Sequence, residues 1–113
     1  LLYNHFIKCY HRITEKQKAK GRANKMNKKE IKEILANKFK DENCGFTKKD
    51  IKIKDIKDGF EITIADYDHA PYRVTYFEGE WWAYDSFFEE YVGISSKLEN
   101  CLLCVGYDIA NKF

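Results

Sequence analysis

Three groups of residues in this 113-residue chain have types and spacings that could do chemistry. Asp66, Asp68 and His69 fall within four positions, with Arg73 just beyond. Carboxylates and an imidazole can hold a divalent cation and activate water for phosphodiester hydrolysis, and a guanidinium can stabilise the developing charge. That would be the chemistry of a metal-dependent nuclease or toxin domain. The grouping is short, however, and uses residue types common in loops; an Asx-turn at Asp68 accounts for it as simply. No catalytic residue is assigned from it.

Cys101 and Cys104 have the C-x-x-C spacing used for zinc or dithiol redox chemistry. A structural zinc takes four ligands and would need Cys9, Cys44 or His11 nearby; a redox motif needs a strand-to-helix context that is missing here. Cys101 falls on an apolar stripe and Cys104 at its edge, so packing explains both. The expectation is four free thiols, no metal, no cofactor and a reducing, intracellular (cytoplasmic) compartment.

The third group is cationic. Lys16, Lys18, Lys20 and Arg22 occupy every second position, so an extended arm would project all four to one side, where they could follow a phosphate backbone; Lys25, Lys28 and Lys29 continue the charge. This belongs to a wider asymmetry. Residues 1–58 hold 17 of the 20 Lys and Arg and 8 of the 18 Asp and Glu, a net charge of +9, whereas residues 59–113 carry −7. The overall +2 hides a strongly polar molecule, which bears on partners rather than on fold.

The elements that position these groups follow from periodicity. Leu2, Phe6, Cys9 and Ile13 recur at helical spacing, and residues 16–29 have almost nothing to bury, so 1–27 reads as a basic N-terminal helix and linker. Asn27 with Glu30 forms a capping-box pattern before Ile31, Ile34, Leu35 and Phe39, which predicts a second helix over about 28–43 stopped by Gly45. Ile51 and Ile53, a turn at Asp58-Gly59, and Phe60, Ile62 and Ile64 then predict a β-hairpin. Ile56 is out of phase, which suggests a bulge or a three-residue loop centred on Asp58.

After a loop holding Asp66 to Pro71, a second hairpin turns at Glu78-Gly79. A two-residue turn sets Tyr76 opposite Trp81, Val74 opposite Ala83, and Arg73 opposite Tyr84 in cation–π reach. Adjacent strand residues point to opposite faces, so Trp81 and Tyr76 are expected under the helices. Trp82, Tyr84 and Arg73 are then left as a partner surface. Ser86 with Glu89 suggests one helical turn through Phe87 and Phe88, ended by Gly93. Leu98, Cys101, Leu102, Val105, Ile109 and Phe113 share a narrow arc of a C-terminal helix, with a strand over 101–107 as its rival.

The predicted class is α+β: two N-terminal helices, a four-stranded antiparallel meander and a C-terminal helix on one sheet face, with residues 28–113 forming a single domain. Apolar runs fall short of the roughly 18 residues a membrane span needs, so no membrane partner is expected. The chain begins at Leu1 rather than Met, which reads as a fragment or processed product. The function expected is a small non-enzymatic interaction module. Its Lys-rich N-terminal segment would engage nucleic acid or a nucleoprotein assembly, and its aromatic sheet face a protein. An inhibitor or immunity-type protein that occludes one target is the alternative.

Overall fold

The computed structural model describes residues 26–64 and 67–112, with side chains for all of these except 67–70. The expected helix through Leu2–Ile13 and the linker after it lie outside the described residues. Asn27 opens α1 (Lys28–Asp41) as its spacing predicts: Asn27 Oδ1 accepts from Glu30 N at 2.8 Å, and Glu30 Oε1 accepts from Asn27 N at 3.1 Å. The helix closes before Gly45. Asn43 takes the left-handed conformation (φ 59°), Cys44 N donates to Phe39 O at 2.7 Å, and Asn43 N donates to Lys40 O at 3.1 Å. These two bonds satisfy the terminal carbonyls. Asn tolerates this conformation better than most residues, so no glycine is needed.

Five strands follow in one antiparallel sheet whose spatial order is the chain order: β1 (Ile51–Ile56), β2 (Gly59–Ile64), β3 (Tyr67–Phe77), β4 (Glu80–Asp85) and β5 (Glu90–Ser95). β1 and β5 are its edges. The first hairpin pairs Ile51 with Ile64, Ile53 with Ile62 and Ile56 with Gly59 without interruption, around a two-residue loop in which Asp58 has φ 62°. Ile56 therefore needs no bulge; it lies on the face opposite Ile51 and Ile53. Gly59 is buried against β3, where a side chain would run into the Val74 carbonyl oxygen and Thr75 Cα.

The second hairpin has the expected register, Tyr76 with Trp81, Val74 with Ala83 and Arg73 with Tyr84, around Glu78 (φ 51°) and Gly79 (φ 82°). Two positive φ values in a two-residue turn match the twist of the flanking strands.

Two expectations are corrected beyond this hairpin. Residues 67–71, read as loop, are part of β3. Residues 86–89, read as a helical turn ending at Gly93, form a tight turn in which Asp85 Oδ1 accepts from Phe87 N at 2.9 Å and Phe88 N at 3.2 Å. Glu89 (φ 54°) then reverses the chain into a fifth strand. A register shift at Ala83/Tyr84 makes Val92 an extra residue between the partners Tyr91 and Gly93. That bulge breaks the alternation by which a strand is recognised in sequence.

α2 (Leu98–Lys112) settles the choice between helix and strand for 101–107. Leu98, Cys101, Leu102, Val105 and Ile109 pack on the sheet over β4 and β5, and α1 lies alongside. Gly106 marks the helix crossing: a Cβ there would sit 2.9 Å from Lys38 Cγ and 3.0 Å from Lys38 Cβ. The glycine costs about 1 kcal/mol of helix propensity relative to Ala and lets the helices approach. The described residues thus form an α+β fold with one five-stranded sheet and two helices. Trp81 is 1% exposed at the centre of the core, 5.2 Å from the Tyr76 ring and 6.2 Å from Phe60.

Candidate interaction surface

The sheet face turned away from the helices is built from the strand registers. One row crosses all five strands as Lys54, Glu61, Arg73, Tyr84 and Tyr91. The next reads Ile56, Gly59, Thr75, Trp82 and Ile94. Charge is therefore concentrated towards β1 and aromatic surface towards β5. Trp82 stands 5.5 Å from the Tyr91 ring and Tyr84 stands 5.0 Å from it, both edge-on, so the three rings form one cluster. Trp82 Nε1 donates to Phe77 O at 3.1 Å, which fixes the indole across the hairpin. Tyr91 is 50% exposed and Phe77 60%.

All three residues assigned from sequence to a partner surface, Arg73, Trp82 and Tyr84, lie on this face. The expected contact of Arg73 with the Tyr84 ring is replaced by another: Arg73 Nε donates to Glu61 Oε2 at 3.0 Å across the β2–β3 pair. A carboxylate opposite a guanidinium on the neighbouring strand is the stronger attraction. Tyr91, the centre of the ring cluster, was invisible to sequence reasoning because its strand was. A Val-Gly-Ile run after Tyr91 is the signal that could have exposed it.

Of the polyanion-binding candidates, Lys16, Lys18, Lys20, Arg22 and Lys25 lie outside the described residues. Lys28 and Lys29 are exposed in the first turn of α1, and Lys28 Nζ is 3.7 Å from Asp55 Oδ2. A second basic feature, unforeseen, is an open cleft of about 660 Å³ between the end of α1 and residues 44–49, lined by Lys40, Lys48 and Lys49 beside Phe46. Lys48 reaches Glu33 at 3.0 Å, and this contact holds the Glu33 carboxyl below its ordinary pKa.

The nuclease grouping loses its setting. Asp66 is outside the described residues, and the backbone of Asp68 and His69 runs in β3 rather than in a loop. Among the described residues no cluster of three His, Cys, Asp or Glu could hold a metal ion. The densest ionisable group lies elsewhere, at the end of α2. Lys112 Nζ is 2.7 Å from Asp85 Oδ2, 2.9 Å from Asp108 Oδ2 and 2.9 Å from Glu90 Oε2, and the Tyr72 hydroxyl donates to Asp108 Oδ2 at 2.7 Å. Burial opposes the Lys112 cation, yet the three carboxylates outweigh it and raise its pKa. Burial raises the Asp108 pKa against the lowering effect of Tyr72 and Lys112. Burial and the neighbouring carboxylates also raise that of Tyr72. Every one of these groups has a partner, and the arrangement clamps α2 to the β3–β5 end of the sheet.

The cysteines depart from expectation. Cys44 and Cys101 are free thiols, but Cys104 is disulfide-bonded, so the C-x-x-C pair is neither a reduced dithiol nor an internal disulfide. The buried Cys101 thiol is pushed far above its ordinary pKa by desolvation, which makes it inert. An intracellular compartment argued from four free thiols loses that support. No described helix is long and apolar enough to cross a membrane. Comparison with protein-family models, with curated proteins and with solved structures finds no match to this chain.

Proposed function

We propose that this protein is a non-enzymatic interaction module with two contact regions: the aromatic half of the outer sheet face for a protein partner, and the Lys-rich N-terminal segment for nucleic acid or a nucleoprotein assembly. The observation that carries the reading is the Trp82–Tyr84–Tyr91 cluster beside the exposed Phe77 ring, on the face away from the helices and outside the main core. Exposed Tyr and Trp supply large contact area with little conformational entropy to lose, and such residues often dominate the energy of a contact. The basic region extends the reading to Lys28 and Lys29, which are exposed in the first turn of α1.

The two contacts are tested separately. Binding of a labelled single-stranded oligonucleotide is measured against salt for the parent protein and for a variant with Lys16, Lys18, Lys20 and Arg22 replaced by serine. Affinity and salt slope should both fall in the variant, because fewer counterions are released. An unchanged slope removes the arm from the mechanism. For the sheet face, Trp82→Ala should abolish a stoichiometric complex isolated from native extract while shifting the unfolding midpoint little. A complex that survives both Trp82→Ala and Tyr91→Ala refutes the surface assignment.

A further inference from the structure

The basic cleft at the end of α1 is the feature that the interaction reading leaves unused. We propose that it binds a nucleoside phosphate, with the phosphate held by Lys40, Lys48 and Lys49 and the base against the Phe46 ring. The proposal does not rest on the contacts assigned to the outer sheet face or to residues 16–25.

The cleft follows from how the chain leaves the helix. Asn43, in the left-handed conformation, turns the chain, and residues 44–49 run back beside α1. Two contacts hold them there. The Phe46 ring stands edge-on to the buried Phe39 ring at 5.9 Å, and Lys48 Nζ meets Glu33 Oε2, 15 residues back, at 3.0 Å. Asp50 Oδ2 accepts from Thr47 N at 2.8 Å, which fixes the segment before β1. Walls held in this way are formed in advance of a ligand and spare it the cost of ordering them. The space between them is about 660 Å³, within the roughly 300–1,000 Å³ of small-molecule sites.

The lining selects the ligand. Among the described residues that form it are three lysines and no Asp or Glu. Lys48 and Glu33 are each 51% exposed in their side chains; such a pair holds little free energy, so the ammonium can turn to a ligand anion. Three ammonium groups match a multiply charged phosphate better than a single carboxylate. An inorganic anion would leave the remaining wall unused. Phe46 is only partly buried against the core, which leaves ring surface for a base to stack on. Asn37, three residues before Lys40 on the same side of α1, offers a donor and an acceptor to a base edge.

Gly45 keeps the cleft open. Its backbone lies outside the left-handed region, and a Cβ built there meets no atom within 4 Å. The chain therefore accepts a larger residue at this lining position, but its side chain would take up space the ligand needs. The nucleoside phosphate is either a free mononucleotide or one unit of a single-stranded nucleic acid, since both present a base and a phosphate.

The test uses Cys44, a half-buried free thiol in the cleft wall, as its reporter. The native full chain is treated with iodoacetamide alone, with adenosine monophosphate or with a short single-stranded oligonucleotide, and alkylation of Cys44 is read by peptide mass spectrometry. At a ligand concentration ten times the dissociation constant labelling should slow about tenfold, because only unliganded protein reacts, and the protection should fade as salt rises. Protection by the mononucleotide supports the site as one for a free nucleotide; protection by the oligonucleotide alone supports it as one for nucleic acid. Gly45→Leu should lose the protection at an unchanged unfolding midpoint, and the double variant Lys40→Ser, Lys49→Ser decides if Gly45→Leu is destabilised. The variant with Lys16, Lys18, Lys20 and Arg22 replaced by serine should keep the protection, which separates this site from the arm. No protection by either ligand, protection that survives in the double lysine variant, or loss of protection in the arm variant overturns the proposal. Equal protection by adenosine, which lacks the phosphate, or by heparin, which lacks the base, overturns it as well.

Discussion

Replacing Lys112 with Met tests whether the polar clamp at the end of α2 holds the fold together. The substitution keeps the aliphatic stem and removes the one cation shared by Asp85, Asp108 and Glu90. The side chains of Asp85 and Asp108 are 3% and 2% exposed, so two carboxylates remain that water cannot reach. Removing one partner of a buried ion pair costs about 3–5 kcal/mol. The Lys112 side chain is itself 15% exposed and that of Glu90 33%, so solvent takes up part of the charge and the cost falls just below that range, at about 2–3 kcal/mol. That is a large share of the roughly 5–15 kcal/mol expected for a domain of this kind. In urea unfolding, a slope of about 1–2 kcal/mol per M converts the loss into a midpoint lower by about 1–3 M. The deficit has a required pH dependence. Burial already raises the Asp108 pKa and loss of the Lys112 cation removes an effect that lowers it, so the penalty is present at neutral pH and relieved as protons bind on acidification. A midpoint unchanged at neutral pH, or a deficit that grows towards pH ~4, refutes the argument.

Alkali should weaken the parent protein from the other direction. Tyr72 and Lys112 have folded pKa values raised above their ordinary 10.0 and 10.5, so the stability they contribute is complete below about pH 10 and is lost as pH rises further. Unfolding midpoints between pH 8 and 11 should show this fall, and Tyr72→Phe should make it shallower. Leu102→Ala, at a fully buried site of α2, should cost about 2–5 kcal/mol, whereas Leu103→Ala on the exposed side should cost under about 1 kcal/mol; equal effects in a denaturant titration would contradict the helix facing. Gly59→Ala should cost about 3 kcal/mol or more because the added methyl meets β3 backbone that cannot turn aside, and a protein as stable as the parent by thermal unfolding would show that β2 and β3 can part there.

The parts of the fold legible in the sequence were those with two agreeing local signals. Asn27 and Glu30 cap α1 before its apolar stripe, and the alternation from Tyr72 to Tyr84 around Glu78-Gly79 gave the β3–β4 register residue by residue. The first hairpin was seen, but Ile56 looked anomalous, because an apolar residue on the outer face cannot be told from a slipped register without its partner Gly59. β5 was missed through its bulge at Val92, and with it the Tyr91 ring that joins Trp82 to Tyr84. The start of β3 was hidden by Asp66 to Pro71, whose composition is that of a loop while their neighbours in space make part of it a strand. Long-range contacts left no local trace at all. Asp85, Asp108 and Lys112 lie 23 and 4 residues apart in sequence order, and only the fold brings Asp85 to the other two. That Cys104 is disulfide-bonded while Cys101 is a free thiol likewise has no trace in their C-x-x-C spacing.

Among the described residues β1 is an outer strand of the sheet, and this bears on how the protein behaves when crowded. An outer strand is a row of backbone donors and acceptors on which another chain can grow, and a hydrophobic edge invites stacking into fibres. Here Lys52 and Lys54 alternate with Ile51 and Ile53 and are exposed, and Asp55 follows them. Two β1 strands meeting side by side would set ammonium groups near ammonium groups before many backbone bonds could form. Like charges at that spacing repel, and drawing water from them costs more than the short strand returns. The lysines that make the first half of the chain so basic therefore also guard the sheet against polymerisation, and loss of both charges would lower the concentration at which the protein stays dispersed.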